Sequence, residues 1–539
     1  MIDGIFLIMS SAYVDQEVAA EFGLLPPVFL PLGNKRLYEA QLGQLDGVRD
    51  IVLTIPEDFA VPVHDQKALG AAGVRIMPLP GDLSLGEAVV YAINCVGNTD
   101  RPIRILHGDT LMMGLPLEET DIVASSEDVD AYRWAELVIK AGRIERLETP
   151  PQNRTTGLAQ PVVSGYFAFS SAMKLVRAIT KARNNFIEGI NLYAKERELR
   201  AVQIDDWFDF GHLQTLFRSR RAVTTARFFN KLKIDEVSAR KSAATEGQYF
   251  KIRAEAEWLR SVPPTMQVYT GRLLDSGETE HGPQYTTEYE YTPTVSELFV
   301  FGAISRMSWQ RIIRSCADFL GACSVITHEA PAGNWLNTLT VEKTEARLEA
   351  YAKQSGFDLK HGLSLGGRAM PSLLEIAHEL AAITARVPDR PACAMHGDFC
   401  FSNILFNFRT RRIRVLDPRG FVMEGNSSIY GDLRYDLAKL SHSVIGRYDQ
   451  IIAGRFSSVA DGKYSFDIEL ETLPHHGWVQ TAFENLVIDG VAATGVEVRS
   501  AMIGLFLSML PLHADRPDRQ RAFIANALRL YAGLEGQVL

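Results

Sequence analysis

His396-Gly397-Asp398-Phe399-Cys400-Phe401-Ser402-Asn403-Ile404-Leu405, followed by Arg414-Val415-Leu416-Asp417-Pro418-Arg419-Gly420, decides how the second half of the chain is read. It runs as a tight polar loop, a short apolar strand, a basic turn and a second apolar strand ending in an acid. Asp398, an amide five residues on at Asn403, and a carboxylate at Asp417 are the groups that phosphoryl transfer requires. One acid accepts the proton of an attacking hydroxyl, here Asp398, while the amide and the second acid hold Mg²⁺ against nucleotide phosphates. The spacing aims Asp398 at a substrate and turns Asn403 back to the metal, and the hairpin returns Asp417 beside it.

This motif set resembles the aminoglycoside-phosphotransferase and choline-kinase type of small-molecule kinase. Gly431-Asp432-Leu433-Arg434-Tyr435-Asp436-Leu437-Ala438-Lys439-Leu440 is similar to a further segment of that family. The resemblance covers roughly the second half of the chain. It implies a bilobal α+β, protein-kinase-like fold that uses ATP and Mg²⁺, with His396 buttressing the loop and Asp432 and Asp436 bracing it.

Upstream, Val237 to Ser242 alternates as a strand and Phe250 to Leu259 reads as a helix. In kinases a strand lysine contacts the phosphates and is held by a helix glutamate. Lys241 and Glu255 take these roles, with Arg240 and Glu257 as neighbouring alternatives. Tyr289 to Phe299 resembles the kinase hinge, which places Tyr291 at the nucleotide and leaves Ser296 to cap a helix. Beyond Phe301 the chain reads as helical over Ser308–Ala322, Leu336–Gln354 and Ser372–Ala385, with a loop at Gly356–Gly367. The adjacent His475 and His476 read as an exposed pair. Arg419 follows Asp417, where choline kinases carry an aromatic and an acid. A cation there suits an uncharged or anionic hydroxyl substrate such as a sugar, polyol or sugar acid, since choline needs an aromatic cage or negative charge.

The front of the chain has another pattern. Ile5-Phe6-Leu7-Ile8-Met9 is a continuous apolar run of the kind found in strands buried on both faces. Strands at Val48–Ile55, Val74–Pro78 and Ile103–Leu106 alternate with helical stretches at Lys35–Leu45 and Ser84–Val96, which predicts a doubly wound α/β sheet. Ligands of such sheets sit outside the carboxyl ends of the strands. His107-Gly108-Asp109 leaves one strand there, and Asp205-Asp206-Trp207-Phe208-Asp209-Phe210-Gly211-His212 offers a second acid between aromatics.

Together these resemble the sugar nucleotidyltransferases, in which two such acids bind the Mg²⁺ bridging nucleotide and sugar phosphate. The resemblance carries those metal ligands onto Asp109 and Asp209. It also rests on Pro31 to Glu39, Leu85-Gly86-Glu87-Ala88 and Val163 to Phe169, and spans about residues 1–215. One departure stands out. The loop that should cradle a triphosphate, Ser10 to Gly23, has one glycine, no Arg or Lys, and three acids. Carboxylates there repel a triphosphate unless they point to solvent. Lys35 and Arg36 are the nearest compensating cations, or else a solvated helix start.

The chain of 539 residues therefore divides into a nucleotidyltransferase-like domain (1–225), a kinase-like N-lobe (226–300) and a helical C-lobe with the catalytic loop (301–539). A net charge of −9 argues against nucleic acid as the main partner. The five scattered cysteines form no metal or disulfide pattern, which suits the cytoplasm. No stretch approaches the ~20 apolar residues of a membrane helix, so no membrane insertion is expected. The combined reading is a bifunctional enzyme. It phosphorylates a small hydroxyl compound with ATP and couples the phosphate to a second nucleoside triphosphate, with CTP a candidate, as in bacterial capsule or lipopolysaccharide precursor supply. Two alternatives stay open: a kinase whose front domain only binds or scaffolds, and an antibiotic-modifying kinase.

Overall fold

The computed structural model describes residues 2–97, 100–128, 134–149, 160–227, 232–331, 335–458 and 462–538. The chain divides into two compact units, Met1–Ala222 with Phe301–Ala303, and Val223–Val300 with Ile304–Leu539.

The first unit is built on one nine-stranded sheet. Its order is Val74–Leu79, Val48–Pro56, Ile2–Met9, Ile103–His107, Gln160–Phe169, Ile122–Asp128, Arg200–Gln203, Arg143–Glu148 and Glu136–Lys140. The first four strands are parallel, and Gln160–Phe169 runs antiparallel to both of its main neighbours. Strand residues alternate between faces, and the opening apolar run is used on both. Ile5, Leu7 and Met9 pack with Val89, Ile93, Leu175 and Ile190, whereas Phe6 and Ile8 pack with Val28, Phe29 and Leu69. The α/β class expected from the sequence stands. Ile2–Met9 lies between strands reached by crossovers in opposite directions, so its carboxyl end is the switch point where such sheets bind ligands. The expected helix over Lys35–Leu45 begins later. Lys35 and Arg36 pair with Leu32 and Pro31 in a small hairpin, and the helix runs Leu37–Leu42.

The second unit has two lobes. A four-stranded antiparallel sheet, in the order Leu232–Ile234, Ser238–Ser242, Gly282–Glu288 and Leu273–Thr279, packs against the helix Tyr249–Ser261. The remainder is mainly helical, with Leu433–Val444 and Val496–Met509 at its centre. This is the bilobal α+β class expected. Every residue of Leu433–Val444 is buried, its polar ones included. The 18-residue run Val496–His513 has the length and apolarity of a membrane span, but 61% of it is buried inside the fold, which accounts for its composition. All five cysteines are free.

Three local expectations are corrected. The loop Gly356–Gly367 carries part of a hairpin, Leu363–Leu365 paired with Arg368–Met370. Thr294, not Ser296, caps the helix Val295–Phe301. Its hydroxyl accepts the Glu297 N–H at 3.1 Å while the Glu297 carboxylate accepts the Thr294 N–H at 3.1 Å. His475 and His476 are 4% and 3% exposed, not a surface pair. Their Nε2 atoms meet the Phe299 carbonyl at 2.8 and 3.1 Å, supplying donors to a carbonyl in the last turn of that helix.

Candidate functional site

In the second unit, the strands Ile404–Asn407 and Arg412–Val415 pair antiparallel, with Ile404 opposite Val415. The Leu416 N–H extends the ladder to the Asn403 carbonyl at 2.9 Å, so Asn403 and Asp417 flank the same end of the hairpin. Asp417 takes a left-handed backbone (φ 55°). Gly420, at φ 71°, then lets the chain pass the helix Tyr249–Ser261, where a Cβ would come 2.2 Å from the Ala254 carbonyl oxygen. That approach sets Asp417 under the sheet. Lys241 Nζ lies 2.9 Å from Asp417 Oδ1 and 2.8 Å from Glu255 Oε2. Glu255 is fully buried and also accepts the Tyr285 hydroxyl at 2.9 Å. The alternatives lie elsewhere: Arg240 is directed to Thr286 and Glu257 to Arg260.

The loop carrying Asp398 is fastened from below. The Asp436 carboxylate accepts the N–H groups of His396 and Gly397, both at 2.7 Å. His396 is fully buried, and its Nδ1 accepts the Asp398 N–H at 3.2 Å. Burial pushes the imidazole down to about 4, so it is neutral at physiological pH. Asp398 itself is gripped on both oxygens. Asn403 Nδ2 donates to Oδ2 at 2.9 Å, and Lys439 Nζ lies 2.8 Å from Oδ1. Desolvation by the surrounding protein would raise this acid, but the Lys439 ammonium overcomes it and holds the carboxyl well below the usual range. The group is an ionised carboxylate lining a cavity of about 370 Å³. Arg419 lines the same cavity, its guanidinium over the Phe421 ring at 4.5 Å. Tyr291 does not reach it. Its hydroxyl donates to the Glu236 carbonyl beside the sheet.

Sequence reading missed Lys439, Lys343 and Arg347. All three line the cavity. A lysine three residues after Asp436, inside a helix of otherwise apolar core spacing, was the available signal for the first.

In the first unit, Trp207–Asp209 pairs antiparallel with Thr110–Met112, setting Asp209 opposite Thr110 and beside Asp109. Gly211 lies against both acids, since a Cβ there would stand 2.6 Å from Asp109 Oδ2 and 3.4 Å from Asp209 Oδ1. Burial, then the neighbouring Asp109 charge, pushes Asp209 up to about 6, and burial raises Asp109 as well. The acids line a cavity of about 430 Å³ together with Ser84, Leu85, Gly86, Val163, Ser164 and Gly165. Motif segments scattered over more than a hundred residues thus meet at one place. Trp134 and Trp207, edge to face at 5.1 Å, form part of its wall. Lys35 is exposed and is not among the lining residues. The acid-rich segment is a helix, Gln16–Phe22. Asp15 caps it by accepting the Val18 N–H at 2.8 Å and stands 3.6 Å from His212 at the cavity.

Among the described residues, no three His, Cys, Asp or Glu side chains converge as a metal site. Each cavity offers two donors instead, which fits Mg²⁺ held by one or two carboxylates plus substrate phosphates and water. The two facing acids of the first unit, both resisting ionisation, are a donor pair that a divalent cation satisfies. In the second, the Asn403 amide nitrogen is committed to Asp398, which leaves its Oδ1 as a ligand beside Asp417.

Residues 240–453 match the phosphotransferase enzyme family. The match contains the Lys241–Glu255 pair, the Asp398 loop, the hairpin and the buried helix, so the second unit carries a phosphotransferase domain. No curated protein matches the chain. Among solved structures, the GDP complex of aminoglycoside 2′-phosphotransferase-IIIa is similar at 12% identity, covering 56% of this chain and 90% of that one with a TM-score of 0.34. UTP-bound UGPase from Acinetobacter baumannii is similar at 14% identity over 42% of this chain and 95% of that one, with a TM-score of 0.32. HddC from Yersinia pseudotuberculosis is similar at 14% identity over 41% of this chain and 100% of that one, with a TM-score of 0.31.

Proposed function

We propose that the chain is a bifunctional enzyme of the cytoplasm. The phosphotransferase domain transfers the terminal phosphoryl group of ATP to a hydroxyl of a sugar, polyol or sugar acid. The first unit then joins that phosphate to a second nucleoside triphosphate, CTP among the candidates, with release of pyrophosphate. The product is an activated precursor of the kind used for capsule or other surface polysaccharide. One observation carries the reading: Asp398 is held ionised between Lys439 and Asn403, on the same cavity as Asp417. Asp398 accepts the hydroxyl proton as the new O–P bond forms and ADP departs. Lys241, fixed by Glu255, is the phosphate contact. Asn403 and Asp417, and Asp109 and Asp209 in the first unit, would hold Mg²⁺, which would neutralise phosphate charge.

The test uses the full chain with ATP and a panel of sugars, polyols and sugar acids. ADP formation is followed in wild type and in Asp398→Asn. Pyrophosphate release is measured separately with CTP, UTP, GTP and dTTP and the phosphorylated panel. Acceptor-dependent ADP formation that Asp398→Asn leaves intact would remove Asp398 as the base, and absence of acceptor-dependent ADP formation would sink the kinase assignment.

A second reading keeps the kinase and gives the first unit a binding or scaffolding role. Asp15 favours it, because it sets a carboxylate 3.6 Å from His212 where a triphosphate needs positive charge. Absence of pyrophosphate with all four nucleotides, while they still bind, is the result this reading expects.

A further inference from the structure

The cavity around Asp398 holds more positive charge than its own acids balance. Lys251, Lys343, Arg347, Arg419 and Lys439 line it, against Asp398 and Asp417. Lys439 is taken by Asp398 at 2.8 Å and Lys251 by Glu255 at 3.7 Å, while Asp417 is taken by Lys241. The other three cations have no carboxylate partner among the described residues. Lys343 Nζ is 3.4 Å from the Tyr435 hydroxyl, Arg347 Nη1 donates to the Ser508 carbonyl at 2.9 Å, and Arg419 Nε donates to the Phe421 carbonyl at 3.0 Å. Among the described residues none of the three is ion-paired.

The placement of two of them is built into a helix. Lys343 and Arg347 stand four residues apart on one face of Lys343–Ser355, where like charges destabilise a helix. Immediately before them, Thr338–Glu342 forms a π-helical turn, a widening that recurs at functional sites. Burial outweighs the opposing Tyr435 hydroxyl and, with the fields of Arg419, Lys439 and Arg347, pulls the Lys343 ammonium down to about 8. A fold that crowds three unpaired cations beside an ionised base opposes its own stability unless something of opposite charge binds there. Met509 and Leu512 give the cavity an apolar wall for a carbon skeleton.

We infer that the phosphoryl acceptor carries, besides its hydroxyl, an anionic group, a carboxylate or a phosphate monoester, seated against Lys343, Arg347 and Arg419. The inference rests on the kinase reading and narrows its substrate. ATP's phosphates enter on the Asn403 and Asp417 side of the cavity, where Lys241 stands 2.9 Å from Asp417. Lys343 and Arg347 lie instead against Tyr435 and Ser508.

Matched acceptor pairs test it with the full-length chain, ATP and Mg²⁺: glycerate against glycerol, gluconate against glucitol, and glycerol 3-phosphate against glycerol. The expected result is at least a tenfold higher kcat/KM for the anionic member of a pair. Whether the acid or the phosphate pair shows it identifies the source of the charge. Arg347→Gln and Lys343→Gln should each raise the KM for that acceptor tenfold or more, with the KM for ATP within twofold and Arg347→Lys partly restoring it. Equal or better use of the neutral members overturns the inference and leaves the kinase reading standing. So does a rise in the KM for ATP as large as that for the acceptor, which would assign the cations to nucleotide. If no acceptor is phosphorylated, the kinase reading fails, and calorimetry then decides the anion site alone. Binding of glycerate or glycerol 3-phosphate that Arg347→Gln abolishes supports it, and absence of binding to wild type overturns it.

Discussion

Lys439 Nζ lies 2.8 Å from Asp398 Oδ1, and this pairing sets the charge of the proposed base. Without the ammonium, desolvation is left to act and the carboxyl rises. Lys439→Met should therefore move the acid limb of the kcat/KM profile for ATP-dependent phosphorylation to higher pH by on the order of one unit or more. Asp398→Asn removes the base and should lower kcat by roughly 10²–10⁴. An unmoved acid limb in Lys439→Met would separate the lysine from the proton transfer.

Glu255 is a fully buried carboxylate whose main counter-charge is Lys241. Burial raises its carboxyl, so on losing the lysine it escapes by taking up a proton, more readily at low pH. Lys241→Met should destabilise the second unit by up to roughly 3 kcal/mol at pH 8 and by less at pH 5. Adding Glu255→Gln should restore part of the loss. Urea unfolding of the single and double variants at both pH values checks this, and a pH-independent loss would contradict it.

Lys343 offers a trade between stability and binding. Its ammonium is held down to about 8, against an ordinary 10.5. A base depressed by folding costs stability wherever it is protonated, fully below about pH 8, and the cost fades as pH climbs toward 10.5. Lys343→Met should thus be more stable than wild type at pH 7, by about 1–3 kcal/mol, with the gap closing by pH 10. Thermal unfolding across that range measures it.

Gly211 tests the first unit. A Cβ there would reach the flexible end of Asp109, which can swing aside at little cost to the fold but not to the metal proposed to be shared with Asp209. Gly211→Ala should reduce pyrophosphate release at least tenfold while the unfolding midpoint moves only slightly. Pyrophosphate release at the wild-type rate would remove Asp109 from the site.

Much of this was legible in the sequence because the chemistry is local there. Asp398, Asn403 and Asp417 lie on one loop and hairpin, so spacing alone brings them together. Lys241 and Glu255 could be found because one sits in an alternating strand and the other in the helix that follows. What stayed hidden depends on surroundings. A lysine at 439 or 343 has the same helical spacing whether it faces water or a cavity, and only packing by distant segments tells the two apart. The same holds for His475 and His476, whose hydrogen-bond partner is a carbonyl some 176 residues away in sequence. Asp15 was legible as a charge but not as a helix cap, since a cap is defined by the backbone it closes.

The hairpin that presents Asn403 and Asp417 works as a ruler. Its strands are four residues each, and its turn, residues 408–411, faces solvent over most of its length. Extra residues spliced into that turn change nothing at the far end. One residue inserted in either strand reverses which way every later side chain points and turns one of the two proposed ligands out of the cavity. Length variation in related chains is thus expected in the turn and excluded from the strands.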